Sequence, residues 1–117
     1  MVKQLKYAVD CKSRYSRGKE DEYVRCILDK AQQGASSNPL GEDKFRVKRA
    51  IKALYELQAH SQAGATRQQI RSKAGFTSGG VGLYPWLPQY GGLPVVEKHN
   101  ELYRIADRFY SSVGKVV

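Results

Sequence analysis

The stretch TSGGVGLYPWLPQYGGLP, residues 77–94, limits the chain more than any other part of it. Relative to Ala, a helix interior loses about 1 kcal/mol for a Gly and about 3 kcal/mol for a Pro, and this stretch contains Gly79, Gly80, Gly82, Pro85 and Pro88. A long regular helix across it is therefore excluded. A short one is allowed, because Pro85 suits a first helical turn while Tyr84, which precedes it, is biased away from the helical region. The sequence predicts a short helix from Pro85 to Tyr90, ended by Gly91 and Gly92.

Upstream, apolar residues recur at helical spacing. In KEDEYVRCILDKAQQGA, Tyr23, Val24, Ile27, Leu28 and Ala31 form one stripe, acids fill the first turn and Gly34 follows the last, which predicts a helix over 20–34. In KFRVKRAIKALYELQAH, Val47, Ala50, Ile51, Leu54 and Leu57 mark a core-facing helix over 44–60. Its other faces carry Lys44, Arg46, Lys48, Arg49 and Lys52, either as a solvated surface or as a flank facing phosphates. GATRQQIRSKAGF reads as a short helix over 66–74: Thr66 and Gln69 have capping-box spacing, Ile70 and Ala74 face inward, and Gly75 ends it.

Downstream, PVVEK and ELYRI are strand-like and joined by KHN, with His99 and Asn100 at the expected tip of a hairpin. Residues 1–19 form a basic arm with Lys3, Lys6, Lys12, Arg14, Arg17 and Lys19, in which Leu5, Tyr7 and Val9 alternate as a short strand would. SSNPLGED has turn composition. At 117 residues the chain has enough material for one core. The expected fold class is α+β, mainly α, with one domain over 20–117 behind the arm.

Twenty Lys and Arg against eleven Asp and Glu give a formal charge of +9, which draws such a chain to polyanions. Nucleic acid is the first partner this implies. No apolar run approaches the roughly 20 residues needed to span a bilayer, so no membrane partner is expected. The start MVKQLKYAVDCKS lacks a continuous apolar h-region, which implies a cytoplasmic protein. Cys11 and Cys26 form no CxxC pair and have no partnering His, so both are expected as reduced thiols, with Cys26 on a core-facing helix position.

No catalytic constellation stands out. His60 and His99 are isolated, the acids of KEDEYVRCILDK suit a helix dipole, and TSGGVG is not followed by the Lys-Ser or Lys-Thr of a phosphate-binding loop. The expectation is a non-enzyme without metal, cofactor or small-molecule substrate.

The order of RAIKALYELQ, GATRQQIRSKAGF and GGLPVVEKHNELYRI resembles the winged helix-turn-helix superfamily over the second half to two-thirds of the chain. The resemblance implies a winged helix preceded by a basic N-terminal arm and an extra helix, with a recognition segment over 77–90 and a wing hairpin over 93–106. It further implies binding of double-stranded DNA. Arg67, Gln68, Arg71 and Lys73 would meet phosphates near the ends of the short helix. Thr77 and Ser78 would open the recognition segment and bond DNA backbone oxygens, and Lys98, His99 and Asn100 would form the wing touching the minor groove or phosphates.

The sequence departs from the pattern at 77–90, and two readings follow. In one, Gly79, Gly80 and Gly82 bring the backbone close to DNA while Tyr84, Gln89 and Tyr90 present side chains to base edges. In the other, Val81, Leu83, Trp86 and Leu87 belong to the core and the glycines serve turns. A third has Tyr and Trp stacking unpaired bases, which makes the chain a single-strand or RNA binder. The leading expectation is a small regulator, or an accessory factor of a mobile element, phage or plasmid, associated with the nucleoid. It would act as a dimer through ADRFYSSV and the 20–34 helix. A protein-interaction module with the aromatic loop as anchor is the rival.

Overall fold

The computed structural model describes residues 11–13, 15–36 (backbone alone at 33–36), 45–77, 79–87 and 93–117. It is a mainly helical α+β fold with a three-stranded antiparallel sheet. The strand suggested by Leu5, Tyr7 and Val9 lies outside the described residues, as do Ser78, Gln89 and Tyr90.

Helix α1 spans Glu20–Ser36, two residues beyond the expected end. Gly34 therefore does not stop it. Glu20, Asp21 and Glu22 sit in its first turn, where negative charge suits the exposed N–H groups. Tyr23, Val24, Ile27, Leu28 and Ala31 are all buried, as their spacing predicts.

Helix α2, Arg46–His60, is the central element and packs against the rest of the sheet and helices. Val47, Ala50, Ile51 and Leu54 are buried as expected, but Leu57 is only half-buried and Gln58 takes the inward place instead. After α2, the chain turns through Gly64 into β1, Ala65–Thr66, which the sequence did not suggest. A Cβ on Gly64 would stand 2.1 Å from the Tyr103 carbonyl oxygen, so only Gly lets this segment lie against the neighbouring strand.

Helix α3, Arg67–Ala74, begins with the predicted capping box. The Gln69 amide N–H donates to the Thr66 hydroxyl at 3.2 Å, and the Thr66 N–H donates to the Gln69 side chain at 2.8 Å. Gly75 ends it in the left-handed conformation. Ile70 is buried, whereas Ala74 is only partly so.

Strands β2 (Val96–His99) and β3 (Leu102–Ile105) form the hairpin, with Val96 opposite Ile105 and His99 opposite Leu102. The tip is therefore Asn100 and Glu101, one residue later than expected, with Asn100 at φ 56 as a tight turn requires. Strand β3 is central, and the sheet order is β1-β3-β2.

The segment expected to be unspent apolar surface is helix α4, Asp107–Val116. Phe109 and Val113 are buried, and the helix packs chiefly on α1. The Phe109 ring lies 5.5 Å from that of Tyr23. Tyr110 stacks on Tyr55 of α2 at 4.5 Å. The two faces on which the dimer expectation rested thus cover each other within one chain.

The cysteines correct another expectation: Cys11 and Cys26 form a disulfide rather than two thiols. Cys11 is 1% exposed, and the bond ties the middle of the basic arm to α1.

Candidate nucleic-acid interface

The loop between α3 and the hairpin resolves the competing readings of its apolar residues. Val81, Leu83, Pro85 and Trp86 are buried, and Leu87 is partly buried. Instead of a helix from Pro85 to Tyr90, the described part holds a single 3-10 turn, Tyr84–Trp86, with Pro85 in its first positions. Glycines before it and Pro88 after it leave room for one turn. Trp86 is fully buried, and its indole Nε1 has no hydrogen-bond partner among the described residues. Tyr84 stays on the surface at 39% exposure.

Two residues expected at phosphates are engaged within the protein. The Arg71 Nη1 donates to the Gly79 carbonyl at 2.5 Å. The Lys73 ammonium lies 3.5 Å from the Glu56 carboxylate of α2. Arg46 and Arg49, read as solvated or phosphate-facing, also turn to the loop. Arg46 donates through Nε (3.1 Å) and Nη2 (2.5 Å) to the Gly80 carbonyl, and Arg49 donates to the Ala74 carbonyl at 2.7 Å. Beneath them is Phe76, with the Arg46 guanidinium 4.0 Å and that of Arg49 5.0 Å from the ring centre. This role of Arg46 and Arg49 was not foreseen. Their i, i+3 spacing puts them on one helix face, but no sequence signal tells that this face looks at a loop some thirty residues on.

The remaining predicted residues are exposed. Arg67 and Gln68 stand on the first turn of α3, Thr77 follows its end, and Lys98 and His99 end β2 with Asn100 opening the hairpin turn. Strand register brings two of these groups together. Thr66 pairs with Leu102 and Leu102 with His99, so Arg67 leaves the sheet in the same cross-strand row as the tip. Two strand spacings, about 10 Å, separate the ends of that row. At the tip, His99 Nε2 lies 3.6 Å from the Glu97 carboxylate, and the Lys98 ammonium lies 5.4 Å from the centre of the Tyr103 ring.

Among the described residues, no group of three or more His, Cys, Asp or Glu side chains could hold a metal ion, and no helix is long and apolar enough to cross a membrane. In a surface depression of about 540 Å³ lined by Gln58, Gln62, Arg104, Asp107 and Tyr110, the side chains of Gln58, Arg104, Asp107 and Tyr110 are bonded within the protein. Arg104, for example, donates to the Gln62 carbonyl and to Asp107. Compared with protein-family models, with curated proteins and with solved structures, the chain matches none.

Proposed function

We propose that the chain is a winged-helix protein that binds double-stranded DNA. The observation that carries this reading is the register that puts the capped start of α3 and the hairpin tip at one end of the sheet. In the order α2, β1, α3, turn, β2, β3, a winged helix would use that end and the following loop as its DNA-facing surface. Exposed Arg67, Gln68, Thr77, Tyr84, Lys98, His99 and Asn100 supply the polar and cationic groups.

The charge of +9 supports the same partner, because phosphate neutralisation supplies most of the affinity of such a module. Gln89, Tyr90 and Ser78, outside the described residues, complete the proposed contact set. The role would be that of a small regulator or accessory factor of a mobile element, phage or plasmid. A homodimer would have to use surface other than the α1 and α4 faces. Burial of Trp86 removes one of the rings on which a single-strand reading leaned, while Tyr84 stays exposed.

Electrophoretic mobility of the protein with random duplex and random single-stranded oligonucleotides, across a salt series, tests the reading. Duplex binding that weakens steeply with salt is the expected result. Tight binding to single strands alone, or no binding to either, would sink it.

A further inference from the structure

Three guanidinium groups from two helices end on backbone carbonyls at the end of α3 and in the loop after it: Arg49 on Ala74, the last residue of α3, Arg71 on Gly79 and Arg46 on Gly80. Two of them stack on Phe76. At Arg46 the arrangement needs arginine, since its planar fork puts two N–H groups on the Gly80 carbonyl while its face lies on the Phe76 ring, a geometry that the compact ammonium of lysine does not reproduce. Further along, Val81, Leu83 and Trp86 are buried and anchor the loop from its other end. The Gly79–Gly80 backbone is thus fixed on both sides.

The two glycines differ in what the fold asks of them. Gly79 has φ 79, and a Cβ there would stand 3.1 Å from the Arg46 Nη2. The fold accounts for it. Gly80 has no left-handed φ, and a Cβ there would meet none of the described atoms within 4 Å. Nothing inside the described protein requires glycine at 80, while a bare exposed backbone is what close approach by another molecule would use.

We propose that Arg46, Arg49 and Arg71 are positioning residues, a clamp that presents the Gly79–Gly80 backbone to duplex DNA with Gly80 at the point of closest approach, and that they do not themselves bond phosphate. The proposal rests on the duplex-binding reading above. Their charges still contribute a positive field beside the loop, while Arg46 gives two N–H groups to the Gly80 carbonyl and Arg49 and Arg71 give one each to the Ala74 and Gly79 carbonyls.

Duplex affinity across a salt series, with thermal unfolding as a control, tests this in the wild type, Arg46→Lys and Gly80→Ala. A phosphate contact would survive replacement of Arg by Lys. The clamp would not: Arg46→Lys should bind about tenfold more weakly, the scale of one lost charge-assisted hydrogen bond, with the salt slope unchanged because the charge is kept. Gly80→Ala should also lose about tenfold without a lower unfolding temperature, because its methyl group obstructs DNA and not the fold. Folded variants that both bind within twofold of a binding wild type would overturn the clamp alone. A wild type that binds no duplex would overturn the functional reading and the clamp with it. If Arg46→Lys fails to fold, Gly80→Ala decides.

Discussion

Gln58, on a helix, completes the hydrogen bonding of Ile105, on a strand. Its side-chain nitrogen donates to the Ile105 carbonyl at 3.1 Å, and the Ile105 N–H donates to its side-chain oxygen at 2.7 Å. The amide thus plays the part of a neighbouring strand at a residue that is itself fully buried. Replacing Gln58 by Ala or Leu would strand both backbone groups without water. A loss of about 2–4 kcal/mol is expected, the cost of two unsatisfied buried groups, measurable by urea unfolding. A loss below 0.5 kcal/mol would show that the pairing is dispensable.

Gly64 should tolerate nothing larger. With φ 105 and the Tyr103 carbonyl 2.1 Å from a would-be Cβ, Gly64→Ala must push β1 away from β3. Loss of amide protection at Ala65 and at its cross-strand partner Tyr103 in hydrogen exchange, together with a lower unfolding temperature, is the expected outcome. Unchanged protection would contradict it.

The Cys11–Cys26 bond closes a loop of sequence separation 15. Chain-entropy arguments assign such a crosslink about 3 kcal/mol. Unfolding in the presence and absence of a strong reductant should show a drop of that order, and the Cys11→Ser, Cys26→Ser double variant should reproduce it with no further response to reductant. Equal stability of the oxidised and reduced protein would contradict the crosslink's role.

Helix-end acids set the acid limit. The Ser112 hydroxyl, with the Lys115 charge adding to it, holds the Asp21 carboxyl below its ordinary 3.8 against the opposing effect of burial. Glu20 is held below 4.5 by its own backbone N–H first, with a hydrogen bond from Tyr15 contributing as well. For lowered carboxylates the stabilisation is complete above the unfolded values and is lost as pH falls through the lower folded ones. Calorimetric unfolding temperatures should therefore be level from pH 7 to about 5 and decline below about 4, with Asp21→Asn removing part of the decline. A decline beginning near pH 6 would point to another group.

Phosphate contacts should separate along the same helix. Arg67→Ala is expected to weaken duplex binding and lower the salt slope by about 1, because Arg67 is exposed on the first turn of α3. Lys73→Ala, which gives up the pair with Glu56, should leave the slope as it was. Equal slopes for the two variants would remove Arg67 from the interface.

Where periodicity and caps are strong, the sequence was legible. The stripes of α1 and α2, the Thr66 capping box and the strand alternation around residue 100 are local signals, and each corresponds to an element. Strand β1 has two residues and exists only because β3 lies beside Gly64, so no local pattern marks it. Helix α4 was missed although Phe109, Val113 and Val116 have helical spacing, because the strand-like ELYRI runs into it with a single intervening residue. At the candidate interface, the exposure of Lys98, His99 and Asn100 beside the hairpin turn was legible, though the turn itself lies one residue later than the sequence suggests. The inward turn of Arg71 and Lys73 was not, since a cation's partner is set by tertiary distance and both choices leave the same sequence.

The covering of α1 by α4 also has a consequence for the order of events during synthesis. Tyr23 emerges long before Phe109, yet the two rings pack together at 5.5 Å. Until Phe109 and Val113 are made, the apolar face of α1 has no native partner from α4, and a nascent chain in that state is open to premature association. Folding of this core is therefore deferred until Phe109 and Val113 have been made, and a chain halted before Phe109 should remain a client for chaperones rather than a smaller version of the same domain.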